Sequence, residues 1–436
     1  MEGPIENTLE KRKEKLFSLF KGRFSNSWQY IILAAIVIFG FLMRLRNIGL
    51  LKDVTNGQFI PSDLDALVIL RYVNEIALNG MLPTIDVLRY YPLGFSSLSE
   101  FSLLSYFIFY LYKFWSFFNP AVTIAQADVY YPPIAFVIAI IFFFLFVRKL
   151  FDYRIALIAS AFLATMPSFL HRTMLGFSDK EALALAFMFM SYYLYVSAWK
   201  SKRLRNGIML GILSGITTGM TGLVWGGVNF IFLTIGLFAL VEILLNKFNK
   251  NDFLSYSSWM IFAIAIMNIF GEGRYPIIGT FINSFTSGLM IFSFFLGIVF
   301  YLIYNLDIFR IKEKIHGKYP KGLVAFLFTL VLALIFFVLF FGFSFIVDKI
   351  SRVYVDMIAP FGKSRWALTV AESHQPYIRD WVNEFGLTYF WSFSAGAILM
   401  FYGALKHFKK NRIKATVLYS LFLFGFIFSR YSSSST

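Results

Sequence analysis

Long apolar runs, uncharged through their middles, constrain this chain more than anything else in it. About eleven can be marked, near 29–48, 129–147, 155–170, 182–199, 206–223, 226–245, 253–270, 286–304, 322–347, 386–405 and 414–430. Crossing ~30 Å of hydrocarbon takes ~20 apolar residues as a helix. In lipid every backbone N–H and C=O must pair internally, which leaves helices or a closed barrel. These runs do not alternate with period two, so they read as helices. With 58% hydrophobic residues and 56 phenylalanines in 436, a soluble domain could not hide this surface. The expected fold class is therefore an all-α polytopic membrane protein. The chain has no cysteine, which excludes disulfides and thiolate metal sites.

Lys and Arg set the expected orientation. Residues 1–28 form a polar, basic arm, and the first apolar run lacks a small-residue cleavage site, so it reads as a retained span. Basic clusters recur at Arg148/Lys149/Arg154, Lys200 to Arg205, Lys247/Lys250, Arg310 to Lys321 and Lys406 to Lys414. They fall in alternate loops, which the positive-inside rule makes cytoplasmic. The net charge of +16 then faces anionic headgroups, and nothing further points to nucleic acid. Two long outer loops result, 49–128 and 348–385. The apolar stretch 101–118 would break the alternation if it crossed, so it reads as an external or re-entrant helix.

The acids gather on the opposite side from those clusters. In PSDLDALVILRYV, Asp63 and Asp65 follow a proline at the start of a helical run. In HRTMLGFSDKEAL, Asp179 and Glu181 open the fourth span, seven residues after Arg172. In SRWALTVAESHQPYIRDW, Glu372 sits with Arg365, His374 and Arg379. Acids at a helix start are ordinary first-turn residues that favour the dipole. Three such groups on one face are a different matter. Five carboxylates together repel one another, and a divalent cation is their natural neutraliser. Oxygen donors without cysteine favour Mg²⁺ or Mn²⁺. A transporter would place ionisable groups or broken helices near the midplane, and the span interiors here lack acids and bases.

At these residues the chain resembles the catalytic subunit of oligosaccharyltransferase. Asp63-Leu64-Asp65 resembles that family's first DxD motif, with Arg71 following at the family spacing. Tyr91-Pro92-Leu93-Gly94 is similar to its YPLG, and Arg172-Thr173 to Asp179-Lys180-Glu181 resembles its second motif in DxE form. Trp225-Gly226-Gly227 resembles a WGG turn. Thr369 to Glu372 resembles the TIxE or SVSE motif, and His374-Gln375-Pro376 the HQP that follows. The likeness covers about residues 29–431, a transmembrane catalytic domain of GT-C-like architecture. The family adds further spans and a soluble outer domain bearing WWDYG, which reads the Ser or Thr after the acceptor Asn. That motif is absent here, so the resemblance implies a member truncated before its C-terminal soluble domain.

The resemblance implies a metal-dependent, inverting transfer of an oligosaccharide from a dolichol-linked phosphate or pyrophosphate to an acceptor Asn in Asn-x-Ser/Thr. By resemblance, Asp65 and Glu372 contact the acceptor amide, and Asp65, Asp179, Glu181 and Glu372 hold Mn²⁺ or Mg²⁺. Arg430 or Arg172 takes the donor phosphate. Asp63, Trp225 and His374 are further substrate contacts, although Trp225 is equally an interfacial anchor. The partners implied are a lipid-linked oligosaccharide, an acceptor peptide and membrane lipid. The setting implied is an archaeal cell membrane, or an endoplasmic reticulum membrane in a eukaryote, with the site facing outward. Two other readings belong to the same motifs: another polyprenyl-phosphate-sugar-dependent membrane glycosyltransferase, and an inactive or truncated homologue.

Overall fold

The computed structural model describes residues 27–97, 100–271, 273–304, 319–358 and 377–407. The predicted span 414–430 and most of the basic arm lie outside the described residues. The chain is a multi-pass, all-α membrane protein. It begins with α1 (Trp28–Arg44), then α2 (Leu64–Asn79), a small antiparallel pair β1 (Ile85–Asp86) and β2 (Phe95–Ser96), and α3 (Leu103–Phe118). The bundle continues with α4 (Ile124–Leu150), α5 (Tyr153–Thr165), α6 (Pro167–Arg172), α7 (Lys180–Trp199), α8 (Leu204–Val224), α9 (Val228–Leu244), α10 (Lys250–Phe270) and α11 (Phe285–Tyr304). Last come α12 (Lys321–Phe341), α13 (Phe343–Ile358), α14 (Ile378–Phe385) and α15 (Leu387–His407). Among the described residues six helices are long and apolar enough to cross a membrane: α4, α7, α8, α10, α11 and α12.

Helix ends follow local chemistry. Asp63, Thr123, Asp152 and Asp179 each cap a helix with a side-chain oxygen, and Asn249 with Asp252 forms a capping box at α10. Two predicted spans are corrected. The run 155–170 divides into α5 and α6 because Met166, preceding Pro167, is driven to extended backbone (φ −61°, ψ 125°). The run 322–347 ends at Phe341, since Gly342 takes a left-handed φ of +81° that lets the chain turn sharply into α13. The helix expected from 129 begins earlier, at Ile124, and so takes Asp128 into its first turns.

Packing among spans relies on small residues rather than on apolar bulk, because lipid tails are as apolar as leucine. A Cβ placed on Gly211 of α8 would sit 2.6 Å from the Ser255 carbonyl oxygen of α10, so the two backbones touch there. Hydroxyls join the same helices. Ser191 of α7 meets Thr218 of α8 at 2.7 Å, and Trp259 of α10 donates its indole N–H to Thr218 at 2.9 Å. The basic ends cluster together, with Arg148 donating to the Tyr30 hydroxyl and Lys200 to the Lys149 carbonyl. At the other end, α3 packs through Leu104 and Ile108 among Ala127, Tyr131, Ala182, Leu183 and Val224. Those residues lie at the ends of α4, α7 and α8 remote from the basic loops, and there the first two acidic loops also meet.

Candidate active site

The first acidic loop is built by a helix start. Asp63 has extended backbone (φ −132°, ψ 156°) and accepts the main-chain N–H of Asp65 at 3.4 Å, capping α2. The second is built the same way. Asp179 (φ −125°, ψ 164°) accepts the N–H of Lys180 at 2.7 Å and caps α7. Each cap holds its acid against a helix N-terminus, where the dipole favours negative charge.

Main-chain bonds bring the loops together. Ser62 donates to the Gly176 carbonyl at 2.9 Å, and Gly176 donates to the Val129 carbonyl at 2.9 Å. Gly176 is required there: its φ is +81°, and a Cβ would lie 2.7 Å from Leu51 Cδ1. Ser178 donates to the Asp128 carbonyl at 2.6 Å, and the Tyr131 hydroxyl donates to the Asp179 carbonyl. The first turns of α4 thus seat the whole stretch from Gly176 to Asp179.

Charge is concentrated and only partly offset. Arg172 Nη1 lies 3.0 Å from Asp179 Oδ2 and 3.8 Å from Glu181 Oε1. Asp179 is nearly buried, and the other Glu181 oxygen, Oε2, is buried with no hydrogen-bond partner. Asp65 is open to solvent along one edge, while the protein crowding its other side, and then the Asp179 charge, hold its carboxyl above the usual range. Asp65, Asp179, Glu181, Arg172 and Lys180 therefore share one field. Among the described residues no three ligand-type side chains close on a single point. Glu372, His374 and Arg430 lie outside the described residues.

The remaining predicted residues take definite places. Trp225 ends α8 in extended backbone, tilts on Phe230 at 6.0 Å between ring centres, and packs beside the cluster of Tyr131, Ala182 and Leu183. Arg71 pairs with Asp86, and that guanidinium holds the Asp86 carboxyl below the usual range. Arg89 pairs with Glu100 and reaches the Tyr72 hydroxyl at 2.6 Å. Both pairs brace the outer loop that carries YPLG.

Two residues escaped the sequence reading. Asp128 is fully buried under Ser178, and neither of its carboxyl oxygens meets a donor. An acid flanked by Ala127 and Val129 at a span boundary was the available signal. Arg44 is also fully buried, over the Phe136 ring at 3.5 Å, donating to Thr173 Oγ1 at 2.7 Å and to the Gly40 and Ala164 carbonyls at 2.8 and 3.1 Å. Its own carbonyl accepts the Leu175 N–H at 3.1 Å, so it secures the stretch leading into Asp179.

Comparison with known proteins bears on this arrangement. A subunit STT3 of the dolichyl-diphosphooligosaccharide–protein glycosyltransferase of Saccharomyces cerevisiae is 25% identical over 272 residues, covering 59% of this chain and 34% of that protein. Dolichyl-phosphooligosaccharide-protein glycotransferase 3 of Archaeoglobus fulgidus is 30% identical over 308 residues, covering 67% and 33%. The archaeal oligosaccharyltransferase AglB of A. fulgidus, solved with an inhibitory peptide and a dolichol-phosphate, superposes with a TM-score of 0.70 at 21% identity, over 94% of this chain and 49% of that one. A crystal structure of the A. fulgidus oligosaccharyltransferase with zinc and sulfate gives a TM-score of 0.61 at 20% identity, over 92% and 48%. The chain thus spans about a third of the length of these curated relatives and about half of the solved chains. The family model for the N-terminal region of oligosaccharyl transferase STT3 matches residues 70–431, and the chain belongs to that family.

Proposed function

We propose that this chain is the membrane-embedded catalytic part of an enzyme that transfers an oligosaccharide from a dolichol-linked phosphate or pyrophosphate to the side-chain amide of Asn in Asn-x-Ser/Thr. The observation that carries the reading is the meeting of two acidic loops, distant in sequence, through the Ser62–Gly176 bond, with Asp65 and Asp179 in one electrostatic field. The A. fulgidus structures with a dolichol-phosphate, an inhibitory peptide, or zinc and sulfate support the same classes of donor, acceptor and cation.

The residues present suit a hard divalent cation. The donors are all oxygen, Glu181 Oε2 is buried without a partner, and the Asp65 carboxyl is crowded by the charge of Asp179. Asp65, Asp179 and Glu181, with Glu372, would hold Mg²⁺ or Mn²⁺. Such an ion, when bound, offsets negative charge on the leaving phosphate and orients the donor.

The protein's own groups do the rest. An amide nitrogen is a poor nucleophile because its lone pair is delocalised into the carbonyl. Asp65 and Glu372 accept hydrogen bonds from the two amide protons, which favours rotation about the C–N bond and localises that pair. Arg172, more than a third exposed, or Arg430, donates to the phosphate oxygens. The nitrogen attacks opposite the leaving group, the sugar carbon–oxygen bond to the phosphate breaks with inversion as the N–C bond forms, and the nitrogen gives up one proton to a carboxylate that holds it. The site faces outward, opposite the basic loops, where a polyprenyl headgroup emerges from the bilayer, in an archaeal cell membrane or the endoplasmic reticulum.

The test is transfer from a dolichol-linked glycan to a fluorescent Asn-x-Thr peptide, run on the full-length gene product with EDTA and with Mn²⁺ returned. Transfer that is lost in EDTA, restored by Mn²⁺ and absent with a Gln-x-Thr peptide supports the reading. Transfer indifferent to both changes removes it.

A further inference from the structure

The twenty-one residues of α12 rise ~32 Å at 1.5 Å each, matching the ~30 Å hydrocarbon thickness. Gly342 therefore lies at the boundary of the apolar core, and α13 starts there. A helix continuing along α12 would stand in water. Instead the left-handed Gly342 turns it aside, and Lys349 of α13 donates to the Asn283 carbonyl at 2.6 Å, just before α11 begins. Phe345 stacks on Phe341 at 4.9 Å and on Phe337 at 5.6 Å. The helix thus lies back against the same end of the bundle that it leaves.

Around its axis α13 has three faces. At ~100° per residue, Phe345 and Lys349 share the side tied to the bundle. Ser344, Asp348 and Ser351 share a polar side. Phe343, Val347, Ile350 and Tyr354 form an apolar stripe at spacings of four, three and four. They are 70%, 50%, 65% and 64% exposed. That stripe continues the surface of α12, whose outer end leaves Leu339 and Phe340 75% and 71% exposed and whose apolar window is only 11% buried. Protein, water and lipid each have a matching face.

We infer that α13 lies in the plane of the membrane interface, with the Phe343–Val347–Ile350–Tyr354 stripe in the acyl-chain boundary of the outer leaflet. An amphipathic helix with one aromatic-rich apolar side and a polar opposite side sinks ~5–10 Å into that boundary. The occupant of the stripe is lipid because its first residue, Phe343, follows three positions after the exposed Phe340 at the end of a span that is almost wholly uncovered by protein.

The absence of native cysteine makes the test direct. Val347→Cys, Ile350→Cys and Asp348→Cys, each in the full chain, are nitroxide-labelled and reconstituted in lipid nanodiscs, with Leu339→Cys as the lipid-facing reference. Relaxation by oxygen, which concentrates in lipid, is compared with relaxation by a water-soluble nickel chelate. The expected oxygen-to-nickel ratio at 347 and 350 matches that at 339 and exceeds that at 348 severalfold. Ratios at 347 and 350 as low as a water-exposed site, well below that at 339, place the stripe in water, and equal ratios at 348 and 350 remove the two-sided orientation; either overturns the inference. An immobilised label at 350, shielded from both reagents, means that protein covers the stripe, and overturns it equally.

Discussion

The main-chain N–H of Ser62 donates to the carbonyl of Gly176 at 2.9 Å, and this bond joins the two acidic loops. It lies one residue before the cap Asp63, and between the other cap, Asp179, and its arginine, Arg172. Asp65 and Asp179, more than a hundred positions apart, consequently feel each other's charge.

Removing an acid from this pair should end the chemistry without unfolding the bundle. Asp179→Ala and Glu181→Ala are expected to lower peptide glycosylation by ~10²–10³-fold, the range for deleting one electrostatic group of a site. Membrane insertion and monodispersity in detergent should stay at wild-type levels. Transfer within a few-fold of wild type in either variant would take that residue out of the site.

Arg172→Ala should expose the repulsion that the guanidinium offsets. Asp179 and Glu181 then keep their buried positions without a counter-charge, at a loss of roughly 1–3 kcal/mol. The exposure of Arg172 places the effect toward the low end of that range. A lower melting temperature in detergent is expected, recovered by Mn²⁺ in the variant more than in wild type. Identical melting curves with and without Mn²⁺ would contradict this.

Cation affinity should depend on pH through Asp65. Burial and the Asp179 charge raise its folded pKa, so the folded state holds that proton more readily than the unfolded chain does. Its contribution to stability is then present below the unfolded carboxylate value of ~3.9 and is lost as pH rises through the raised folded value. A bound divalent ion needs the carboxylate, so Mn²⁺ affinity should climb across that same window. Paramagnetic titration of Mn²⁺ from acid to neutral pH measures it, and Asp65→Asn should lower the affinity and make the climb shallower, the remaining carboxylates keeping the rest of it. A flat wild-type profile is the adverse outcome.

The Arg71–Asp86 pair should behave in the opposite sense. Its hydrogen bond lowers the folded Asp86 pKa, so the stabilisation is complete above the unfolded value of ~3.9 and disappears as pH falls through the lower folded value. Asp86→Asn should weaken the outer loop by roughly 1–2 kcal/mol at neutral pH and by much less in acid. Limited proteolysis of the 80–100 region at the two pH values reads this out. Equal protection of variant and wild type at neutral pH would count against a bracing role.

Gly211→Ala should separate α8 from α10. The new methyl would meet a backbone oxygen at 2.6 Å, which no rotamer change relieves, so a destabilisation of ~1–3 kcal/mol is expected. The thermal melt of the variant in detergent checks it, and an unchanged melting temperature would show that the helices can part freely.

Sequence alone carried much of the architecture. Charge-free runs in a chain of this composition permit only membrane helices, because lipid offers backbone groups no other partner. The caps were legible too, since Asp63 and Asp179 stand where any helix start favours an acid. The tilt of a chain at one residue was harder to see. Gly342 and Pro167 both sit inside apolar runs, and hydropathy averages over the single dihedral that divides each of them.

Tertiary structure alone decided what touches what. Nothing in the order of residues says that Ser62 meets Gly176, that Arg172 pairs with Asp179, or that Asp128 and Arg44 lie buried beneath the second acidic loop. Motif spacing sets a residue's place along its own helix. The distance between helices is set by where small residues such as Gly211 let backbones approach, and that is a property of the packed bundle.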